Sequence, residues 1–284
     1  MDALADLLLG PTWATYVVGV PVGLIAGSFL NVVVHRLPVM LTRHWRDDAI
    51  AMLALQPPER GVYNLAWPRS HCPRCGATVR AVDNVPVLSW LALRGKCRDC
   101  QARISLRYPL VELASMALLV AVVELWGVNW LAAAYYALLM ALLALALIDF
   151  DRLLLPDQIT LPLLWLGLAA AVAFETTPTP TDALIGAGAG YVVLWAFYWA
   201  HKLLTRREGM GYGDFKLLAA LGAWLGWQAI LPVILVSCTA GILYAGVGLL
   251  RGKATRTTPI PFGPFLCLGG AAALLFTHHL DGAF

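Results

Sequence analysis

The chain has 284 residues, of which 60% are hydrophobic and only 13% are charged, and its formal net charge is +3. Soluble domains are about 45–50% apolar and about 25% charged. This composition, with a mean hydropathy of +0.73, therefore excludes an ordinary soluble protein. The small net charge gives no reason to expect a nucleic-acid partner, because membrane topology explains the basic residues more simply. We predict an integral membrane protein whose surroundings are mainly the lipid bilayer.

Eight apolar segments follow one another along the chain, and a membrane span needs about 20 mostly apolar residues. They occupy 13–35, 108–127, 130–149, 158–175, 182–203, 215–226, 229–250 and 262–279. The sixth is short and contains glycine. The predicted fold class is an all-α polytopic membrane protein with about eight transmembrane helices. The opening stretch "MDALADLLLG" contains no Lys or Arg, so we expect the first segment to stay as an uncleaved anchor.

Lysine and arginine set the predicted orientation, because cytoplasmic loops carry an excess of both. The loop from Arg36 to Arg107 holds 12 of the 20 such residues. If all 20 face the cytoplasm, the eight segments alternate without a violation. We therefore expect both termini on the periplasmic side and one large cytoplasmic loop.

Two pairs of glycines, Gly23 with Gly27 and Gly186 with Gly190, lie four residues apart on single helix faces. Small residues at that spacing let two helices approach closely, so we expect a close helix contact at each pair.

The predicted organisation of the chain has three parts. They are 1–36, the first transmembrane helix; 37–107, the cytoplasmic loop domain; and 108–284, a block of seven helices.

Four cysteines in the cytoplasmic loop form two C-x2-C pairs, "CPRC" and "CRDC", separated by 21 residues. This spacing is typical of a zinc ribbon, and a reducing cytoplasm disfavours structural disulfides. We predict a small zinc-ribbon-like unit of strands and turns, with reduced thiols or a redox pair as the alternative. Four protein ligands leave no open position for water, so this zinc would stabilise the loop rather than catalyse. The predicted ligands are Cys72, Cys75, Cys97 and Cys100.

Two acids stand beside apolar segments, where a charge is costly unless it is used or paired. Asp149 follows the apolar run "ALLALALI", and Asp214 lies in "GMGYGDFK", directly before "LLAALGAWLGW". The predicted topology places both at the cytoplasmic face, so they can meet in space. Asp214 could be an ordinary helix cap. Asp149 opposes the dipole of its own helix and needs a function or a partner such as Arg152.

A close pair of carboxylates resists joint ionisation and shares a proton. The ionised member can activate a water molecule while the protonated member polarises a carbonyl, which is the chemistry of an aspartic protease. The dipole of the sixth helix would favour Asp214 as the ionised member. Glycines at 209, 211 and 213 remove side chains beside Asp214, so a peptide backbone could lie against it.

Several motifs resemble one known family. "GMGYGDFK" resembles the G-x-G-D motif of membrane aspartic proteases, and "IDFDRLLLPD" resembles the first-aspartate motif of type IV prepilin peptidases. "GSFLNVVVHRLP", the C-x2-C pairs, "DNVPVLSWLALRGKC" and "ISLRYPLVE" resemble the N-terminal region of the bifunctional bacterial members. The resemblance covers nearly the whole chain. It implies that Asp149 and Asp214 are the catalytic pair, and that Asp151 and Asp157 belong to the motif without acting in the pair.

The resemblance also implies substrates and a second activity. Such enzymes cut the basic leader from prepilins and from pseudopilins of type II secretion, after a glycine at the cytoplasmic face of the bacterial inner membrane. Bifunctional members then methylate the new N-terminal amine with S-adenosylmethionine. That activity is associated with the cytoplasmic loop, so Gly95 and Lys96 in "LRGKC" are the implied methyl-transfer residues. No G-x-G-x-x-G motif predicts a dinucleotide-type site for the cofactor.

Two other classes of function compete. An ion-coupled transporter could use Asp149, Asp214 and Lys216 as a relay, although both acids are predicted at one face rather than at mid-membrane. A zinc-dependent membrane enzyme is the third hypothesis. The closed four-cysteine pattern and the absence of H-E-x-x-H from the sequence argue against it.

Overall fold

The computed structural model describes residues 13–56, 61–174, 178–206, 209–252, 255 and 259–281. The chain divides into two compact units, Met1–Tyr136 and Ala137–Phe284. Helices dominate the described residues, which contain two isolated β-bridges and no strand, so the predicted all-α class is confirmed. The opening stretch 1–10, on which the expectation of an uncleaved anchor rests, lies outside the described residues, as do four of the predicted cytoplasmic basic residues: Arg60, Arg207, Lys253 and Arg256.

All eight predicted segments are helices, and most of their ends agree within a few residues. The exception is the first helix, which we expected to end near residue 35. The eight helices are α1 (Trp13–Met52), α2 (Arg107–Trp126), α3 (Trp130–Arg152), α4 (Asp157–Ala173), α5 (Pro180–Thr205), α6 (Tyr212–Leu225), α7 (Ile230–Leu250) and α8 (Gly263–Asp281).

Helix α1 continues to Met52, beyond its predicted end, because hydropathy detects only the part of a helix that is suited to lipid. Its second half contains Arg43 and Arg46, which are too polar for a membrane span but form helices well. Pro38 lies inside the helix and removes one backbone hydrogen bond without ending it.

Among the described residues, five helical segments are long and apolar enough to cross a membrane. Two further apolar helices, α4 and α8, are shorter, and α6 has only 14 residues. The polytopic architecture is therefore confirmed, whereas eight crossings and the orientation of the termini stay predictions. The five segments are Thr15–Met52, Arg107–Trp126, Trp130–Arg152, Pro180–Thr205 and Trp227–Leu250.

In the first unit, α1 and α2 pack at the predicted glycine pair. A Cβ added to Gly23 would lie 2.7 Å from the Cα of Met116, and one added to Gly27 would lie 2.6 Å from the Cα of Glu112. The hydroxyl of Ser115 also donates to the carbonyl of Gly23 at 2.6 Å. The close approach expected for this pair is confirmed.

A buried arginine of α1 binds the loop that follows this helix. Arg36 donates to the backbone carbonyls of Asn64 at 2.9 Å, Leu65 at 3.3 Å and Pro68 at 2.6 Å. Its exposed fraction is only 7%. A buried guanidinium is tolerated when carbonyl oxygens replace its water, so Arg36 is one reason why this stretch, unexplained by the sequence, adopts a defined path.

In the second unit, α6 is almost completely enclosed. Every residue from Asp214 to Trp224 is buried except Lys216, which is half-buried. Helix α5 reaches it through glycines: a Cβ added to Gly186 would lie 2.9 Å from the carbonyl carbon of Gly222, and one added to Gly190 would lie 2.8 Å from that of Leu218. The second predicted small-residue contact is thus also confirmed, and it fixes the helix that carries Asp214.

Candidate active site and metal centre

Asp149 lies in the last turn of α3 and is buried, with 6% of its surface exposed. Its Oδ2 accepts a hydrogen bond from the backbone N–H of Gly263 at 3.0 Å. Gly263 is the first residue of α8, so the carboxylate that opposes its own helix dipole lies at the N-terminus of another helix. The dipole of α8 therefore acts on Asp149 in the same way that the dipole of α6 was expected to act on Asp214.

Asp214 lies in the first turn of α6 and is 7% exposed. An aromatic layer holds this turn against α5. The ring centroid of Tyr198 lies 5.4 Å from that of Tyr212 and 5.7 Å from that of Phe215, and the last two are 5.4 Å apart. Tilted and edge-to-face contacts of this kind stabilise a fixed arrangement, so the helical turn that carries Asp214 is held in place.

The structure brings the two aspartates together. Asp149 lies close enough to Asp214 to act on it electrostatically, and both acids act on the buried thiol of Cys267 on α8. Leu155, just after α3, links their surroundings. A Cβ added to Gly213 would lie 2.8 Å from the Cβ of Leu155, and one added to Gly263 would lie 3.0 Å from its Cδ2. The end of α3, Leu155 directly after it, the start of α6 and the start of α8 thus converge on one buried site.

Glycine at 263 is required by the space around Asp149. A Cβ there would lie 2.6 Å from Asp149 Oδ2, closer than real Cβ atoms approach an oxygen. The sequence alone does not point to Gly263, since nothing in it marks which helix N-terminus will face Asp149. The one available signal was the run "PIPFGPF", where prolines flank a phenylalanine and a glycine at the start of the last apolar segment.

Two other charged residues of the predicted motifs form an ion pair. Lys216 Nζ donates to both carboxylate oxygens of Asp157 at 2.7 Å. The pair connects the first turn of α4 with the second turn of α6 and is partly exposed, with 30% of the Lys216 side chain and 48% of the Asp157 side chain accessible. This gives Asp157 a structural partner, and Lys216 is engaged by it.

The four loop cysteines form one cluster. Their sulfur atoms all lie within 4.8 Å of one another, and Cys72 Sγ lies 3.8 Å from Cys100 Sγ. Thiolates bound tetrahedrally to zinc at about 2.3 Å lie about 3.8 Å apart, so the donor set fits this metal. The clustering expected from the spacing is confirmed, and the identity of the metal stays a prediction.

The two C-x2-C turns have the same local structure. The N–H of Cys72 donates to Ala77 at 2.9 Å, and the N–H of Cys97 donates to Ala102 at 2.8 Å. One β-bridge closes each turn, His71 with Thr78 and Lys96 with Arg103. Between the turns, where we expected short strands, the structure has a 3-10 turn, Ala81–Asn84, and a short helix, Leu88–Ala92.

Backbone N–H groups prepare one thiol for metal binding. The N–H groups of Cys75 and Arg74 lower the pKa of Cys72 from its ordinary 9.0 to about 6. A lowered pKa means that the thiolate, which is the form that binds metal, is available near neutral pH.

Gly95 and Lys96 differ in accessibility. Gly95 is buried, has a φ of +66°, and a Cβ added to it would lie 2.7 Å from the indole of Trp90. Lys96 is exposed. The backbone of Gly95 is fixed on both sides, because its N–H donates to Trp90 at 2.8 Å and its carbonyl accepts from Ile104 at 2.8 Å. Gly95 therefore has a conformational role, whereas Lys96 is free to meet a ligand from solution.

Comparisons with known proteins cover most of the chain. Residues 22–126 match the bacterial peptidase A24 N-terminal domain, and residues 136–246 match the type IV leader peptidase family. The chain is 50% identical to the prepilin leader peptidase/N-methyltransferase of Aeromonas salmonicida (strain A449) over 280 residues, which is 97% of this chain and 96% of the relative. It is 49% identical to the protein of the same name from Pseudomonas aeruginosa over 274 residues, 96% of this chain and 94% of the relative. No solved structure matches the chain.

Proposed function

The chain belongs to the type IV leader peptidase family, and from that premise we propose that it removes the leader from prepilins and then methylates the new N-terminus. Its substrates would be type IV prepilins and type II secretion pseudopilins. Cleavage would follow a glycine at the cytoplasmic face of the bacterial inner membrane, and S-adenosylmethionine would supply the methyl group.

The observation that carries the peptidase proposal is the convergence of Asp149 and Asp214 in one buried site. Burying a carboxylate costs free energy, so two buried carboxylates in one site are explained better by a function than by stability. Two such groups share one proton, so one member can take a proton from water while the other donates a hydrogen bond to the scissile carbonyl. The N–H of Gly263 holds Asp149 in place for this exchange.

The surroundings of the pair suit an extended peptide. Gly211 and Gly213 flank Asp214 without side chains, and the nearest heavy atom to a Cβ added to Gly211 would be Asp214 Oδ2, at 3.9 Å. A substrate backbone could therefore approach the carboxylate from this side. A prepilin is itself a membrane helix with a basic leader left in the cytoplasm, so its scissile bond would lie at the membrane interface.

Methyl transfer is proposed for the cytoplasmic loop. The exposed ammonium of Lys96 can pair with the carboxylate of S-adenosylmethionine, while Gly95 shapes the turn that presents it. S-adenosylmethionine carries a methyl group activated by a sulfonium, and the new N-terminal amine must reach it in the neutral form. The cysteine cluster would hold zinc and stabilise this loop without joining the reaction.

The test uses purified protein and a synthetic prepilin segment, with mass spectrometry of the products. Wild type is compared with Asp149→Asn and Asp214→Asn, with and without S-adenosylmethionine. We expect leader release only from wild type, followed by the gain of one methyl group. A precleaved segment, offered to all three proteins, should be methylated by all of them. Equal cleavage by the three proteins would refute the two-aspartate mechanism and return Asp214 to the role of a helix cap.

A further inference from the structure

A strained turn precedes the short loop helix Leu88–Ala92. Val87 has φ +59° and ψ −51°, and the N–H of Leu88 donates to the carbonyl of Pro86 at 2.6 Å. These are the features of a γ-turn with positive φ, which is rare and strained. A β-branched residue avoids this region more strongly than most, so something must hold Val87 in it.

Glu112 is the group that holds it. The N–H of Val87 donates to Glu112 Oε2 at 2.7 Å. Glu112 lies near the start of α2 and is 7% exposed, and the peptidase mechanism makes no use of this buried carboxylate. Its own position is fixed by α1, where Gly27 packs on its Cα and the hydroxyl of Ser28 contacts its carboxylate. A carboxylate fixed by two helices can therefore impose a backbone conformation on the loop.

The strained turn at Val87 sets the direction of the chain that follows it, as far as the second C-x2-C turn. The short helix begins directly after Val87, and its Trp90 donates from Nε1 to the carbonyl of Ile104 at 3.3 Å while packing on Gly95. Lys96 follows immediately. A relaxed Val87 would turn the short helix away and move Trp90, Gly95 and Lys96 together.

Resting on the methyl transfer proposed above, we propose that Glu112 is a positioning residue for that reaction. It captures the N–H of Val87, keeps the γ-turn in its unfavourable conformation, and so places Lys96 for the methyl donor. Glu112 does not touch the substrate or the donor.

The test is a rescue experiment on methylation of a precleaved segment. Glu112→Ala should lower the kcat of methyl transfer by about tenfold or more, the loss expected when a buried donor loses a charged acceptor, while leader cleavage changes by less than about twofold. Glycine adopts positive φ freely, so adding Val87→Gly should restore most of the methylation rate. Val85→Gly is the matched control, since Val85 has an ordinary φ of −70° and should give no rescue.

A second readout does not depend on activity. Hydrogen exchange of the segment containing Val87 should be faster in Glu112→Ala than in wild type, because the captured amide is released. If the alanine variant does not accumulate in membranes, Glu112→Gln keeps the volume with a weaker acceptor and should show a smaller loss in the same direction.

The outcomes separate the two proposals. If wild type transfers no methyl group, the proposed function fails and the positioning role fails with it. If wild type is active and Glu112→Ala matches it, only the positioning role is refuted. A loss that Val87→Gly does not rescue would also refute it, because Glu112 would then act in some way other than through the turn.

Discussion

Helix α6 and the loop 61–106 keep their shapes by opposite means. In α6, every residue from Asp214 to Trp224 except Lys216 is buried, whereas in the loop Gly95 is the single buried residue. Packing against neighbouring helices fixes α6. The loop depends instead on a few polar ties: the four thiols, the carbonyls bound by Arg36 and the N–H bound by Glu112. One region should therefore respond to changes in volume, and the other to changes in metal, charge and protons.

The largest effect should come from filling the contact between α5 and α6. Gly186→Leu would drive a side chain into the backbone of Gly222 and Gly226, which cannot yield, at a cost of about 3 kcal/mol or more. We expect a large fall in the thermal unfolding midpoint in detergent and loss of leader cleavage. Gly188→Leu is the control on the same helix, because a Cβ there meets nothing within 4 Å. Equal stability of the two variants would show that packing does not hold α6.

Metal removal should affect the loop and spare α6. Chelation should abolish methyl transfer and leave the cleavage of a soluble prepilin segment largely intact, as separate product assays would show. Structural zinc supplies much of the free energy that orders such loops. Simultaneous loss of both activities at the same chelator concentration would contradict the separation of the two regions.

Acidification should weaken the same cluster. The pKa of Cys72 is lowered from 9.0 to about 6, so its contribution is complete above pH 9 and is lost as the pH falls to about 6. Protons compete with metal for the thiolates, so release of the bound metal to a chelator should become faster as the pH is lowered. Release that is independent of pH would mean that protonation of the thiols does not control the site.

A smaller, local effect is expected at Gly263. In Gly263→Ala the methyl group would displace Asp149 Oδ2 from a distance of 2.6 Å. Misplacing a catalytic group by about 1 Å can cost about a hundredfold in rate. We expect the kcat of cleavage to fall on that order while methylation of a precleaved segment is unchanged. Gly246→Ala, which adds a methyl group in open space on α7, should leave both rates unaltered.

The smallest effect should come from the pair of Lys216 and Asp157. It has good geometry but is partly exposed, and such pairs contribute about 0–1 kcal/mol. A double-mutant cycle with Lys216→Met and Asp157→Asn should give a coupling energy in that range, decreasing with added salt. A coupling energy above about 2 kcal/mol would mean that polar interactions, as well as packing, stabilise the position of α6.

Most of the helical framework could be predicted because lipid imposes a simple rule on sequence. Eight apolar segments gave eight helices, and glycines four residues apart marked both close helix contacts. The spacing of the cysteines predicted their cluster for a similar reason, since each C-x2-C turn is a local structure. Asp149 and Asp214 were expected to meet because the predicted topology places both at one membrane face, and that topology stays a prediction.

The features that escaped prediction depend on contacts between distant backbone groups. Glu112 captures the N–H of Val87, Arg36 binds three carbonyls, and the N–H of Gly263 reaches Asp149. Backbone donors and acceptors are the same at every position, so sequence alone does not show which will be used. The length of α1 escaped for another reason, because its second half leaves the apolar pattern while remaining helical.

The continuity of α1 makes this protein sensitive to helical phase. Gly27, which packs on α2, and Arg36, which holds the loop, are nine residues apart on one uninterrupted helix, so they point in nearly opposite directions. One inserted residue between them would rotate Arg36 by about 100° away from its carbonyls, although no contact residue had changed. Seven inserted residues, close to two full turns, would restore the direction but move the loop by about 10 Å along the axis. Insertions should therefore be tolerated far less well between these two residues than substitutions at the positions that separate them.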